Sequence, residues 1–142
     1  MKKTKLSLRI LLAAAYALAG YLHLVRAEPF LTITPNWVPY PQAVIHWTGI
    51  VEIAGAVGLL QPISKTLRQA AGLGLALYAL CVWPANINHM LMDMARADGG
   101  LGLIYHAPRM MLQPVLIWLA LWVAEVPLPR RSGSDRSRAG HL

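Results

Sequence analysis

Glu52 is the first residue of this chain with chemical consequences, because it is an acid set among aliphatic neighbours: Ile50 and Val51 precede it, Ile53 and Ala54 follow. If this stretch crosses a bilayer, an ionised carboxylate facing lipid costs several kcal/mol. Glu52 must then face protein, where it is either kept neutral by desolvation or paired with a cation or donors on a neighbouring helix. Two roles compete for it. One is an interhelical clamp; the other is a carboxylate that handles protons or binds a quinone or other ligand.

Helical spacing names its candidate partners. Tyr16, Gly20 and His23 fall at i, i+4 and i+7, so one face offers a phenol, a gap and an imidazole. Gly49, Glu52 and Gly55 repeat at i, i+3 and i+6, where small residues let another helix approach the acid. In the run Trp83-Pro84-Ala85-Asn86-Ile87-Asn88-His89 the proline removes a backbone hydrogen bond, and a kink there frees carbonyls near Asn86. Tyr16, His23, Glu52 and Asn86, with Gly49 beside them, are expected around one polar pocket in the outer half of a helical bundle. His23, His46, His89 and His106 all fall near that boundary, which raises haem or metal ligation. No two have the i, i+4 spacing of a helical metal pair and no carboxylate motif accompanies them, so hydrogen-bonding histidines are expected and no metal. Cys81, the single cysteine, excludes an intrachain disulfide and self-contained thiol–disulfide chemistry; a small buried packing residue is expected there.

The elements that position these groups follow from composition. Of 142 residues 56% are hydrophobic and 13% charged, against about 25% charged in a soluble domain, and the mean hydropathy is +0.46. So small a globule cannot hide that much apolar surface from water. Four apolar stretches, 6–25, 43–60, 67–85 and 110–126, each match a hydrocarbon core of ~30 Å crossed as a helix. They are too continuous for barrel strands. The fold expected is all-α: a polytopic membrane protein with a four-transmembrane-helix bundle over 1–128 and a basic, disordered tail over 129–142. Lys2, Lys3 and Lys5 before the first stretch, and Val25-Arg26-Ala27 after it, also fit a secretory signal. The stretch is longer than a signal core and contains Arg9, Tyr16 and His23, so it is read as a retained span.

The net charge of +7 is accounted for by topology. Ten cations (Lys2, Lys3, Lys5, Arg9, Lys65, Arg68, Arg130, Arg131, Arg136, Arg138) lie on the side of the termini, and three (Arg26, Arg96, Arg109) in the other loops. The positive-inside rule then puts both termini in the cytoplasm. The tail is expected to touch anionic membrane lipid, and no nucleic acid is expected as a partner. A Pro-rich outer loop joins the first two spans, from Arg26 through Pro29-Phe30 to Pro35, Pro39 and Pro41, with Trp37 and Tyr40 between. It is read as a stiff, extended or turned segment lying on the bundle, either as a cap over the pocket or as an interfacial anchor without ligand contact.

These motifs together resemble the DoxX family of small bacterial membrane proteins: Gly20-Tyr21-Leu22-His23, Thr48-Gly49-Ile50-Val51-Glu52-Ile53, Gly58-Leu59-Leu60-Gln61-Pro62, Pro84-Ala85-Asn86-Ile87-Asn88 and Arg109-Met110-Met111-Leu112-Gln113, over roughly residues 8 to 124. Met111 departs from the proline expected in the last motif. The resemblance implies a bacterial inner-membrane protein, redox-associated, with relatives that are quinone-linked or assist assembly. Fold-level inheritance of a reaction is associational, and no flavin, iron–sulfur or dinucleotide motif is present. The functional expectation is a subunit of a membrane oxidoreductase that binds a quinone or similar amphipathic ligand in the bundle, with Glu52 and His23 handling protons and Asn86 donating a hydrogen bond. Whether the chain is an enzyme is left open. The alternative is a structural or assembly protein, or a homo-oligomer through Ala13-x-x-x-Ala17 or Ala70-x-x-x-Gly74. A transporter is disfavoured by the lack of an inverted repeat.

Overall fold

The computed structural model describes residues 2–127, so the expected tail lies outside the described residues. Five helices follow one another: α1 (Lys2–Val25), α2 (Glu28–Ile33), α3 (Pro41–Leu60), α4 (Lys65–Met94) and α5 (Gly102–Ala124). All but the six-residue α2 are long and apolar enough to cross a membrane. Their outward faces are aliphatic, with Leu11, Val57, Leu77 and Met111 all exposed, a surface that hydrocarbon accepts and water does not. The protein is an all-α, multi-pass, four-helix membrane bundle.

Helix ends follow local chemistry. Gln61 and Pro62 close α3. The Gln61 side chain donates to the Ser64 carbonyl at 2.7 Å and accepts from the Ser64 N–H at 2.8 Å, while the Ser64 hydroxyl caps α4 by accepting from Leu67 N–H at 3.2 Å. The connection after α1 is not wholly extended. Pro29 sits in the first turn of α2, where its missing N–H leaves nothing unpaired. Two span limits need correction: α4 runs through Pro84 to Met94 rather than stopping at 85, and α5 starts at Gly102 rather than 110, with Pro108 and Pro114 inside it. Polar residues ended the apolar runs, yet the backbone remains helical because those side chains find partners: Asn86 on Arg109 and Asn88 on the Ile33 carbonyl.

The helices pack as two close pairs, α1 with α3 and α4 with α5. The α3–α4 contact joins the pairs, and α1 touches α5 only sparingly. Small residues set the spacing. A Cβ at Gly20 would lie 2.6 Å from the Gly49 carbonyl oxygen, and one at Gly49 2.8 Å from that of Gly20. Only glycine allows the two backbones so near. Leu12, Ala13, Tyr16, Leu59, Leu75, Ala120, Val123 and Ala124 form the core of the half near the termini. At that end Glu125 gathers cations: Arg68 at 3.4 Å and Lys5 at 3.7 Å reach its carboxylate, and Gln69 donates to its carbonyl at 2.6 Å. Burial alone would push this carboxyl up, but Lys5, Arg68 and Arg9 outweigh it and hold the group below the ordinary glutamate value of 4.5.

Gly20→Val should lower unfolding stability by about 1–3 kcal/mol through overpacking, whereas Gly74→Ala, where a Cβ meets nothing within 4 Å, should not; denaturant titration in detergent measures both. Because Glu125 has a lower pKa folded than unfolded, its contribution is present above the ordinary glutamate range and is lost as pH falls below it. Wild type should therefore lose stability in that acidic window relative to Glu125→Gln. Parallel pH profiles for the two proteins would contradict this.

Candidate functional site

The other half of the bundle is where polar groups collect. The close approach of α1 and α3 at Gly20 and Gly49 brings His23 and Glu52 together, with Nδ1 and Oε2 joined by a hydrogen bond of 2.6 Å. Both are buried, His23 at 7% and Glu52 at 3% exposure. Phe30 of α2 sets its ring edge-on against the His23 imidazole, with centroids 3.9 Å apart. Tyr78 of α4 brings its hydroxyl near Glu52 and Thr48. Tyr16 stacks edge-on against Tyr78 at 6.2 Å, and its hydroxyl lies 3.5 Å from the Leu75 carbonyl oxygen.

A second polar group faces the same space from α4 and α5. Arg109 donates through Nη2 to Asn86 Oδ1 at 2.6 Å and through Nη1 to His89 Nδ1 at 2.8 Å, with its guanidinium 5.1 Å from the centre of the Tyr105 ring. Gln113, one turn further along α5, is 6% exposed, and its Oε1 has no partner among the described residues.

Between these groups lies a cavity of about 430 Å³, walled by Leu12, Ala19, Ile33, Val38, Ile45 and Leu116 and reached by Tyr16, His23, Glu52, Asn86, Arg109 and Gln113. That size and that mixture of apolar wall with few polar groups suit a small ligand. Residues of the 27–40 connection, Phe30 to Val38, form one side of it. Ala15 of α1 and Leu112 of α5 line it while remaining exposed. Trp37, Val44 and Cys81 also line it and are exposed, so the cavity is open on more than one side.

A third cluster closes the loop end of α4 and α5. The Asp93 carboxylate accepts from Leu101 N–H at 2.6 Å and lies 3.0 Å from His106 Nε2. Gly100, at φ 52°, leaves room for that carboxylate, which a Cβ would strike. His106 is fully buried with Nδ1 unpartnered, and its ring meets that of His89 at 5.0 Å. In the hairpin, Arg96 donates to both oxygens of Asp98 at 2.9 and 2.8 Å. This holds the Asp98 carboxyl far below, and the Arg96 guanidinium above, their ordinary values.

Of the residues singled out from sequence, Tyr16, His23, Glu52 and Asn86 line the cavity, and Gly49 supplies the close helix contact beside it. Three details are corrected. Asn86, expected to donate a hydrogen bond, accepts one from Arg109 through its side-chain oxygen. Cys81 is exposed on the flank of α4 rather than buried. Arg109 belongs to the helical wall and not to a loop, since α5 begins seven residues before it. His46 is exposed and apart from the other three histidines. Among the described residues, no three His, Cys, Asp or Glu converge to hold a metal ion. Arg109 and Gln113, quoted as the ends of a motif, were not assigned to the pocket, nor was Tyr78, and His106 was not paired with Asp93; the i, i+4 spacing of Arg109 and Gln113 is the signal that marks the first two.

A family model described as a domain of unknown function, DUF8561, matches residues 12–124. That match overturns the DoxX resemblance, whose short motifs span the same residues. No curated protein and no solved structure matches the chain.

Removing one partner of a buried hydrogen-bonded pair strands the other, at about 1–3 kcal/mol. Glu52→Leu and His23→Leu should each destabilise by that order, and the two together by much less than the sum of the singles. A double-mutant cycle in detergent measures the coupling, and additive losses would exclude it.

Proposed function

The chain belongs to the DUF8561 family, which carries no assigned activity, and on that premise we propose that it binds a small amphipathic molecule of the bilayer, quinone-like in size, in the cavity between its helices. The observation that carries the proposal is the joining of a cavity of about 430 Å³ to a buried His23–Glu52 pair. Apolar walls suit a hydrocarbon or ring system, and an imidazole hydrogen-bonded to a carboxylate suits proton exchange with a polar head. Where the ligand is a quinone, this chain binds it and moves protons, and electrons come from a partner oxidoreductase subunit. With Arg109 in the wall of α5, ten cations on the side of the termini against two, Arg26 and Arg96, in the other loops support cytoplasmic termini, which in a bacterium means the inner membrane. A second reading, a structural or assembly protein, is favoured by the same pair acting as a tie between α1 and α3.

Quenching of tryptophan fluorescence by a decyl-benzoquinone, with the protein in lipid nanodiscs, tests the proposal; Trp37 lines the cavity. Saturable binding is expected, weakened about tenfold, or 1.4 kcal/mol, by Ala19→Phe, which fills the space. Absence of saturable binding, together with no amphiphile detected by native mass spectrometry of protein extracted in its own lipid, would overturn it in favour of the structural reading.

A further inference from the structure

The cavity wall carries two charged residues, and they differ in how they are answered. Glu52 has His23 at 2.6 Å. Arg109 has Asn86 Oδ1 at 2.6 Å and His89 Nδ1 at 2.8 Å, a neutral amide and an imidazole nitrogen that accepts and so carries no proton there. Among the described residues no carboxylate lies within 4 Å of its guanidinium. The acid nearest along the chain of contacts is Asp93, which is already held by the Leu101 N–H, His106 and Arg96 and is separated from Arg109 by the rings of His106 and His89. Arg109 is partly buried, and neither of its side-chain partners brings a counter-charge to the face it turns to the cavity.

The neighbouring position on the same helix face is also incomplete. Gln113 is more than nine-tenths buried, lines the cavity, and leaves Oε1 without a partner. Buried amides of this kind are nearly always bonded. An uncompensated guanidinium and an unbonded amide, one turn apart and facing one apolar space, form half of a recognition site. The missing half is a head that brings an anionic oxygen to the guanidinium and a hydrogen-bond donor to Gln113 Oε1. Arginine suits it better than lysine would, because its planar fork meets two oxygens at once.

We propose, resting on the cavity-binding reading, that the ligand is an acidic amphiphile whose ionised oxygen accepts from Arg109, whose second polar group donates to Gln113 Oε1, and whose apolar part lies along the walls formed by α1 and α5. His23 and Glu52 already bond each other, so Arg109 is the group that fixes which end of the molecule enters first.

A matched pair of probes tests this: an alkyl-substituted hydroxynaphthoquinone, ionised at neutral pH, and its uncharged methyl ether, each titrated into the full chain in neutral phosphatidylcholine nanodiscs. With each affinity expressed per mole fraction of probe in the lipid, the anion should bind roughly tenfold tighter than the ether, the yield of one charge-assisted hydrogen bond. Arg109→Gln should reduce the anion to the affinity of the ether while leaving the ether unchanged, and Arg109→Lys should keep part of the preference. Equal binding of the two probes by wild type, or an undiminished preference in Arg109→Gln, overturns the assignment and leaves cavity binding standing. Binding of neither probe overturns the cavity-binding reading itself. Should Arg109→Gln not fold, the wild-type ratio and its partial persistence in Arg109→Lys decide the matter, a ratio near one overturning the assignment.

Discussion

A carboxylate carried into hydrocarbon needs a partner before the helix that bears it can rest there, and for Glu52 that partner is His23 at 2.6 Å. Much of the architecture follows from meeting this requirement. The two side chains can touch only if α1 and α3 come close, and the backbones come close only where Cβ atoms are absent, at Gly20 and Gly49. Once that contact is set, Leu12, Ala13 and Tyr16 of α1 are directed onto Leu75, Ala120 and Val123. In a bilayer the hydrophobic effect does not draw helices together, so small-residue contacts and polar ties must do so. The pair and its glycines supply both.

The bundle is divided along its length. Toward the termini the interior is small and aliphatic and is fastened at the rim by Glu125 and its cations. Toward the loops the interior turns polar, and side chains bond across helices: His23 to Glu52, Arg109 to Asn86 and His89, His106 to Asp93. The cavity sits at that transition. Its walls come from the apolar region and its polar atoms from the other, which is the distribution an amphipathic occupant matches.

The four spans were legible because length and hydropathy alone decide them. Glu52 stood out as a lone acid in an aliphatic run, and His23 as the imidazole in helical phase with Gly20. The limits of α4 and α5 were not legible. A polar residue or a proline ends a hydropathic run, but it ends a helix only if its groups cannot be satisfied; Asn86, Asn88 and Arg109 satisfy one another or a carbonyl from another element. Arg109 was counted as a loop cation for the same reason, which concealed its pairing with Gln113 on one helix face. The family resemblance failed instructively. Glycines at helix crossings, prolines at helix ends and an amide beside a kink are what any small helical bundle requires, so their order reports the physics of packing more than descent.

Ala15, Val44, Cys81 and Leu112 all line the cavity and are exposed on spanning helices. A molecule of the kind proposed would reach the cavity between those helices from the lipid phase. Occupancy then tracks the mole fraction of the molecule in the membrane and not its aqueous concentration, so the lipid volume of a preparation is itself a variable of any titration. Two compounds of identical fit would rank by their partition coefficients.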